Sequence, residues 1–286
     1  MKSGSEQTGR RSASRFVPFA PLPRAYLNFV GYKLVRFTET LHGLGAFGLI
    51  TLGVTLTKFN TARKVVHPLI YNQIFRAGVG LLPMISFLAV ALGLVVIGQT
   101  VSWLNRVGAQ NYLGIVMVIV VVRELGPMIT ALVVLARVGT ATVIELGTAR
   151  ALGEVEVLEA LGVDPIHFMV MPRVIGLAIS IFSLTVYLIL ITLIAGYLFA
   201  FLQDVPLRPD QYFSQLAGAL RWEDFVLLAL KTLGFGAIIA IITCFQGLAQ
   251  PLHIEDVAAA TTRAVTQSVM GAVLLDAVFI IVYLVL

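Results

Sequence analysis

Residues 111–173 decide the fold of this chain, and they read NYLGIVMVIVVVRELGPMITALVVLARVGTATVIELGTARALGEVEVLEALGVDPIHFMVMPR. The apolar run at the start of this stretch is interrupted by four charged residues, which are Arg123, Glu124, Arg137 and Glu145. A short amphipathic segment follows and is closed by Gly-Val-Asp-Pro at 162–165, and a new apolar run begins after Pro172. This order predicts a charged membrane-spanning helix, joined through a small helix outside the membrane to the next span.

The composition places most of the chain in lipid. Of its 286 residues, 58% are hydrophobic and only 12% are charged, and the mean hydropathy is +0.94. A soluble domain carries about 25% charged residues. From residue 77 onward the chain consists of apolar runs with short connections, which predicts one membrane domain over residues 77–286. The single cysteine, Cys244, excludes a disulfide within the chain.

The residues before this domain are basic. Eleven of the twenty Lys and Arg precede residue 77. We interpret this surplus as a positive-inside signal and not as a nucleic-acid-binding tail. Residues 1–40 are predicted to be a largely disordered cytoplasmic tail. Residues 41–76 are predicted to form interfacial helices, although the apolar part, 41–57, is about 26 Å long as a helix and is marginal for spanning. The amphipathic part, 61–76, has the pattern of a helix in the membrane interface, or alternatively of one packed on protein.

The apolar runs predict an all-α membrane protein with five transmembrane helices. The predicted spans are residues 78–98, 112–148, 174–202, 225–245 and 264–286. With a cytoplasmic N-terminus, the predicted loops 99–111 and 203–222 lie on the far side, and 149–172 and 247–263 lie in the cytoplasm.

The charges inside the second predicted span are candidate functional groups, because a charge in a span usually faces a cavity or a partner. On a straight helix, Arg137 and Glu145 each fall within about 40° of Arg123, and Glu124 lies off that line. One interpretation is a polar lining for a lipid headgroup pocket. The other is a set of structural ion pairs that holds helices or subunits together.

The segment 150–163 is too short and too charged to span. It carries the acids Glu154, Glu156 and Glu159, which a cytoplasmic partner could recognise, or it is a plain connector. There is no G-x-x-x-x-G-K-[ST], H-E-x-x-H or G-x-S-x-G motif, so the sequence predicts no P-loop, no metal site and no catalytic residue on this chain.

Several short motifs together resemble the MlaE-type permeases. They are RELGP at 123–127, ARVG at 136–139, ELGT at 145–148, GVDP at 162–165, PR at 172–173 and ATTRAV at 260–265, followed by Asp276. They occur in the family's order and span roughly residues 60–286.

The resemblance implies a homodimeric ABC-transporter permease that moves phospholipids or related lipids. It further implies a cytoplasmic ATPase that carries ATP and Mg, an MCE-domain lipid-binding protein, and a bacterial inner membrane or chloroplast inner envelope as location. Residues 150–163 would be the coupling helix, with contacts from Arg150, Glu154, Glu156, Glu159 and Asp164. Where relatives commonly carry Thr-Glu-Gln, this chain has Leu152-Gly153-Glu154.

Two other classes of protein are compatible with charges in a span. An ion-coupled secondary transporter would use Glu124 as its proton site, but no inverted repeat is visible in the sequence. An intramembrane enzyme would need a nucleophile, a metal or an acid–base set, and none is recognisable.

Overall fold

The structure, a computed structural model, describes residues 42–55, 63–109, 112–202, 209–248 and 254–285. All regular structure within these ranges is helical. The chain divides into two compact units, Met1–Gly43 and Leu44–Leu286, and every contact given below lies within the second. The predicted tail, residues 1–40, lies outside the described residues.

Five helical stretches are long and apolar enough to cross a membrane, which confirms the predicted class and number. They are Val66–Leu104, Leu113–Ala151, Ile166–Leu202, Trp222–Leu248 and Ile254–Val285, called here the first to fifth spans. The first two contain 39 residues each, whereas about 20 helical residues are enough to cross a bilayer. A hydrocarbon core is about 30 Å thick, so both helices extend well beyond it.

Two predicted loops contain helices. The prediction of a loop at 99–111 is wrong, because the first span continues as Gly98–Val107. Val101 is buried there, so packing holds this polar segment in a helix. The predicted loop 203–222 contains the helix Pro209–Ala219. A proline suits the start of a helix, since the first N–H groups have no partner within it.

The third span begins at Ile166, eight residues before the predicted start at 174. Pro172 was expected to precede the helix, but it lies one residue into Met171–Leu202 and follows a π-helical turn at Ile166–Val170. The preceding π turn accommodates this proline, which has no N–H to donate to the helix. The fifth span likewise starts earlier than predicted, with a 3₁₀ turn at Ile254–Asp256 and the helix Val257–Val285.

Two helices precede the apolar part of the first span. The N-terminal helix is His42–Thr55, and the second is Arg63–Ala77. The second ends at Gly78, and a 3₁₀ turn at Val79–Leu81 leads into the helix Leu82–Leu92. On its predicted apolar face Val66 is buried, and the helix packs on the third span. A location of residues 41–76 in the membrane interface stays a prediction.

The third span packs against the first, second and fourth spans and lies at the centre of the core. Leu177, Ile181 and Leu188 on this span are fully buried or nearly so, as is Phe235 on the fourth. The third and fourth spans touch backbone to backbone, because a Cβ at Gly236 would overlap the backbone of Ala178. Small residues permit such close approach between helices in lipid.

The second span is not a uniform α-helix. Two π-helical stretches, Val118–Leu125 and Leu135–Gly139, alternate with the α-helical segments Leu113–Met117, Gly126–Val134 and Thr140–Ala151. Each π turn holds about one residue more than an α turn, so it rotates the following residues by about 100° relative to a straight helix. This rotation decides which charges face each other.

Candidate functional site

Lys231 on the fourth span is the centre of a buried charge cluster. Its side chain is 0% exposed, and its ammonium lies 3.2 Å from Oε2 of Glu124 and 2.6 Å from Oδ1 of Asp276. It also donates to the backbone oxygen of Arg123 at 2.8 Å. The contacts to Glu124 and to the Arg123 carbonyl are hydrogen bonds, and the contact to Asp276 is an ion pair. The lysine joins the second, fourth and fifth spans.

The third acceptor exists because of Pro127. Proline has no N–H, so the carbonyl four residues earlier, that of Arg123, has no α-helical donor. The Lys231 ammonium supplies the donor that the helix lacks. The RELGP motif therefore prepares both a carboxylate and a free backbone oxygen for the same lysine.

A second ion pair adjoins the first. Nε of Arg123 lies 2.8 Å from Oδ1 of Asp224, which is 3% exposed, and the guanidinium stacks 4.8 Å from the ring centre of Tyr283. The other oxygen of Asp224 accepts from the backbone N–H of Arg221 at 2.9 Å, which caps the start of the fourth span. Arg123 is thus paired with the fourth and fifth spans, and it points away from its neighbour Glu124.

We call Arg123, Glu124, Asp224, Lys231 and Asp276 the buried charge cluster. It contains two cations and three carboxylates, so its formal charge is −1. Glu124 is the most accessible member, with 32% of its side chain exposed against 16% for Asp276. Glu124 is therefore the member of the cluster with the largest surface available to a ligand.

Lys231 and Asp224 are not among the site residues predicted from the sequence, and Asp276 was noted only as part of a motif. Lys231 and Asp276 are single charges inside apolar runs. That is the same signal that indicated Arg123 and Glu124.

Arg137 and Glu145 do not lie on the face of Arg123, so their predicted alignment on one stripe is wrong. Arg123 itself lies within the first π-helical stretch, and the second stretch lies between it and Glu145, so about one extra residue rotates Glu145 by about 100°. Glu145 instead binds Arg76 at 2.8 Å and Arg173 of the third span at 3.1 Å. Its carboxylate therefore ties the second span to the helix Arg63–Ala77 and to the third span.

Arg137 lies beside this group, in a cavity of about 520 Å³. The cavity is bounded by the helix Arg63–Ala77, the 3₁₀ turn Val79–Leu81 and the second span. Its lining includes Arg76, Arg137 and Glu145. Arg137 is exposed, and no ion pair to it is found among the described residues.

The predicted coupling segment contains the helix Glu154–Ala160. A glycine with positive φ flanks it on each side, Gly153 at 78° and Gly162 at 77°. Val155 is buried on the protein side, while Glu154 and Glu159 are exposed. The helix is thus a fixed feature that presents acids outward.

Two of the predicted coupling residues pair with each other, and a third supports the turn. Nε of Arg150 lies 3.3 Å from Oε1 of Glu156. Oδ1 of Asp164 accepts from the N–H of Ile166 at 3.0 Å and so supports the start of the third span. These contacts give Arg150, Glu156 and Asp164 a role within the chain, whatever they contact outside it.

Residues 70–282 match the family described as Permease MlaE. The intermembrane phospholipid transport system permease protein MlaE of Haemophilus influenzae is 26% identical over 87% of this chain and 95% of its own length. A probable ABC transporter permease protein of Rickettsia typhi is 29% identical over 84% and 91%. The chloroplastic protein TRIGALACTOSYLDIACYLGLYCEROL 1 of Arabidopsis thaliana is 31% identical over 72% of this chain and 58% of its own length. With its five apolar spans, the chain is an integral membrane protein that belongs to the MlaE permease family.

Proposed function

We propose that this permease is the membrane subunit of an ABC transporter that moves phospholipids or related lipids between membranes. The observation that carries the proposal is the buried charge cluster, because it holds three spans together and leaves Glu124 accessible. The name of the Haemophilus relative, a phospholipid transport permease, supports lipid as the substrate class. The location would be a bacterial inner membrane or a chloroplast inner envelope.

The proposed partners follow from the missing P-loop motif and from the exposed acids of the helix Glu154–Ala160. This chain carries no P-loop motif, so a separate cytoplasmic ATPase would bind ATP and Mg. The exposed acids of the helix Glu154–Ala160 would dock on that ATPase. A second copy of the chain would complete the lipid cavity, and an MCE-domain protein would exchange lipid on the far side.

The proposed mechanism has no covalent step on this chain. The second span carries Glu124 and runs without a break to Ala151, next to the helix Glu154–Ala160. A movement of that helix would therefore reach the buried charge cluster through one helix. ATP-driven closure of the ATPase would shift the second spans of the two subunits and open or close the cavity. Glu124 and Arg123 would contact headgroups or gate their entry.

The test is ATP-driven transfer of a fluorescent phospholipid in vesicles that contain the permease, the ATPase and the MCE-domain protein. We expect Glu124→Arg to abolish transfer, because it places a second cation beside Lys231. Glu124→Gln should keep most of the activity, since an amide oxygen still accepts from Lys231. Normal transfer by Glu124→Arg would remove Glu124 from the site.

The alternative function is an ion-coupled secondary transporter, with Glu124 as the proton site. The formal charge of −1 in the cluster is the observation that favours it, since one proton would neutralise that charge. Transfer without ATPase under a proton gradient, lost equally in Glu124→Gln and Glu124→Arg, would establish this alternative and refute the ATP-driven one.

A further inference from the structure

The cavity at Arg137 is separate from the buried charge cluster. Arg137 follows Glu124 by thirteen positions along the second span, which corresponds to about 20 Å along the axis. Arg137 is on the side toward Ala151, where the second span meets the coupling segment. A molecule bound at Arg137 would therefore lie at a different membrane depth from one bound at Glu124.

The charges around this cavity do not balance. Glu145 is the one carboxylate in the cavity lining, and both of its oxygens are engaged, Oε1 by Arg76 and Oε2 by Arg173. Arg137 lines the same cavity, so this group contains three guanidiniums and one carboxylate. The formal charge of this group is +2. Since an unpaired cation in a span is costly, the group favours an anion beside Arg137.

The chemistry of the lining selects the kind of anion. A guanidinium presents planar N–H donors that match the oxygens of a phosphate, often in pairs. Asn72 and Gln73 add amide donors to the same cavity. Phe75, Leu81 and Val138 supply apolar surface next to these polar groups. A cavity of about 520 Å³ with a few polar groups and apolar walls suits the head of an amphiphile.

We propose that this cavity binds a phosphate group, and that its natural source is the headgroup of a phospholipid in the leaflet on the coupling-segment side. The proposal deepens the proposed function, because it gives a lipid-moving permease a second headgroup site at another depth. Arg137 would be the main ligand. Arg76 would be shared between the phosphate and Glu145.

The first test is binding of phosphatidylglycerol to the purified full-length chain in detergent, titrated by native mass spectrometry. We expect Arg137→Gln to weaken binding about tenfold, as the loss of one charge-assisted hydrogen bond predicts. Arg137→Lys should be intermediate, because it keeps the charge but loses the paired donors. The matched control is Arg106→Gln, which removes an exposed arginine at the far end of the first span and should leave the affinity unchanged.

A second variant separates anion binding from a structural role. Glu145→Gln raises the positive charge of the cavity but breaks the pairs with Arg76 and Arg173. A phosphate site predicts equal or tighter lipid binding in this variant. If Glu145→Gln weakens lipid binding as much as Arg137→Gln does, these charged residues have a structural role and the proposal is wrong. Equal lipid binding by wild type and Arg137→Gln would overturn it as well.

Inorganic phosphate distinguishes the two sources of the anion. The cavity is assigned to a phospholipid headgroup if phosphatidylglycerol stays bound in millimolar phosphate and diacylglycerol does not bind. Displacement of the lipid by phosphate, with the same dependence on Arg137, assigns it to free phosphate. Both readouts need neither ATP nor partner proteins. A negative binding result would therefore refute the second headgroup site without bearing on ATP-driven transport. A failure of ATP-driven transport would not change the lipid binding measured at Arg137.

Discussion

Replacing Lys231 by methionine should destabilise the membrane domain more than the loss of any exposed cation. The variant leaves Glu124 and Asp276 without the cation that lies 3.2 and 2.6 Å from them. It also leaves the Arg123 carbonyl without a donor, because Pro127 cannot supply one. Removing one partner of a buried ion pair costs about 3–5 kcal/mol. Glu124 is partly exposed and can rehydrate, so we expect about 3 kcal/mol, at the lower end of this range.

The measurement is the free energy of unfolding in mixed micelles, by titration with a denaturing detergent. The triple variant Lys231→Met, Glu124→Gln, Asp276→Asn also removes the two carboxylate charges. It should recover most of the stability that Lys231→Met loses, since the uncompensated carboxylates are the main cause of that loss. Arg106→Met, at an exposed position, should change stability by less than about 0.5 kcal/mol. The idea that Lys231 compensates these carboxylates would be refuted if Lys231→Met lowered the free energy of unfolding by less than about 1 kcal/mol. It would also be refuted if Lys231→Met lowered it by no more than the triple variant does.

Three further predictions address packing and coupling. Gly236→Ala should destabilise the domain by about 1–3 kcal/mol, because its Cβ would overlap the backbone of Ala178; Gly218→Ala, in open space, should be neutral in the same unfolding titration. Gly162→Ala should cost about 1 kcal/mol in that titration, because the residue holds a φ of 77°. Reversing the three acids of the coupling segment to lysine should release the ATPase in a pull-down and leave the permease folded; copurification at the wild-type level would exclude them from docking. These acids are Glu154, Glu156 and Glu159.

The number and order of the spans could be predicted because long apolar runs have few alternatives in lipid. Helix ends could not, since packing decides them. Residues 99–107 are polar, yet they remain helical where Val101 is buried. Pro172 resembles a boundary in the sequence, but the preceding π turn accommodates it.

The site could be predicted only in part. Arg123 and Glu124 were identified because charges in a span are costly, and the same argument applied to the fourth and fifth spans identifies Lys231 and Asp276. Pro127 also carried a usable signal, since a proline inside a helix implies a carbonyl that needs another donor. The orientation of Glu145 could not be predicted, because a straight-helix projection does not include the π turns.

The π turns of the second span have a consequence for how this gene can vary. A π turn is in effect a one-residue insertion stored in a helix. Deleting a single codon within Leu135–Gly139 would let that turn revert to α geometry and rotate one end of the span by about 100° relative to the other. The deletion would misdirect Glu124 or Glu145 without touching either residue. At the apolar positions Leu135, Ala136 and Val138, in-frame deletions should therefore be selected against more strongly than substitutions.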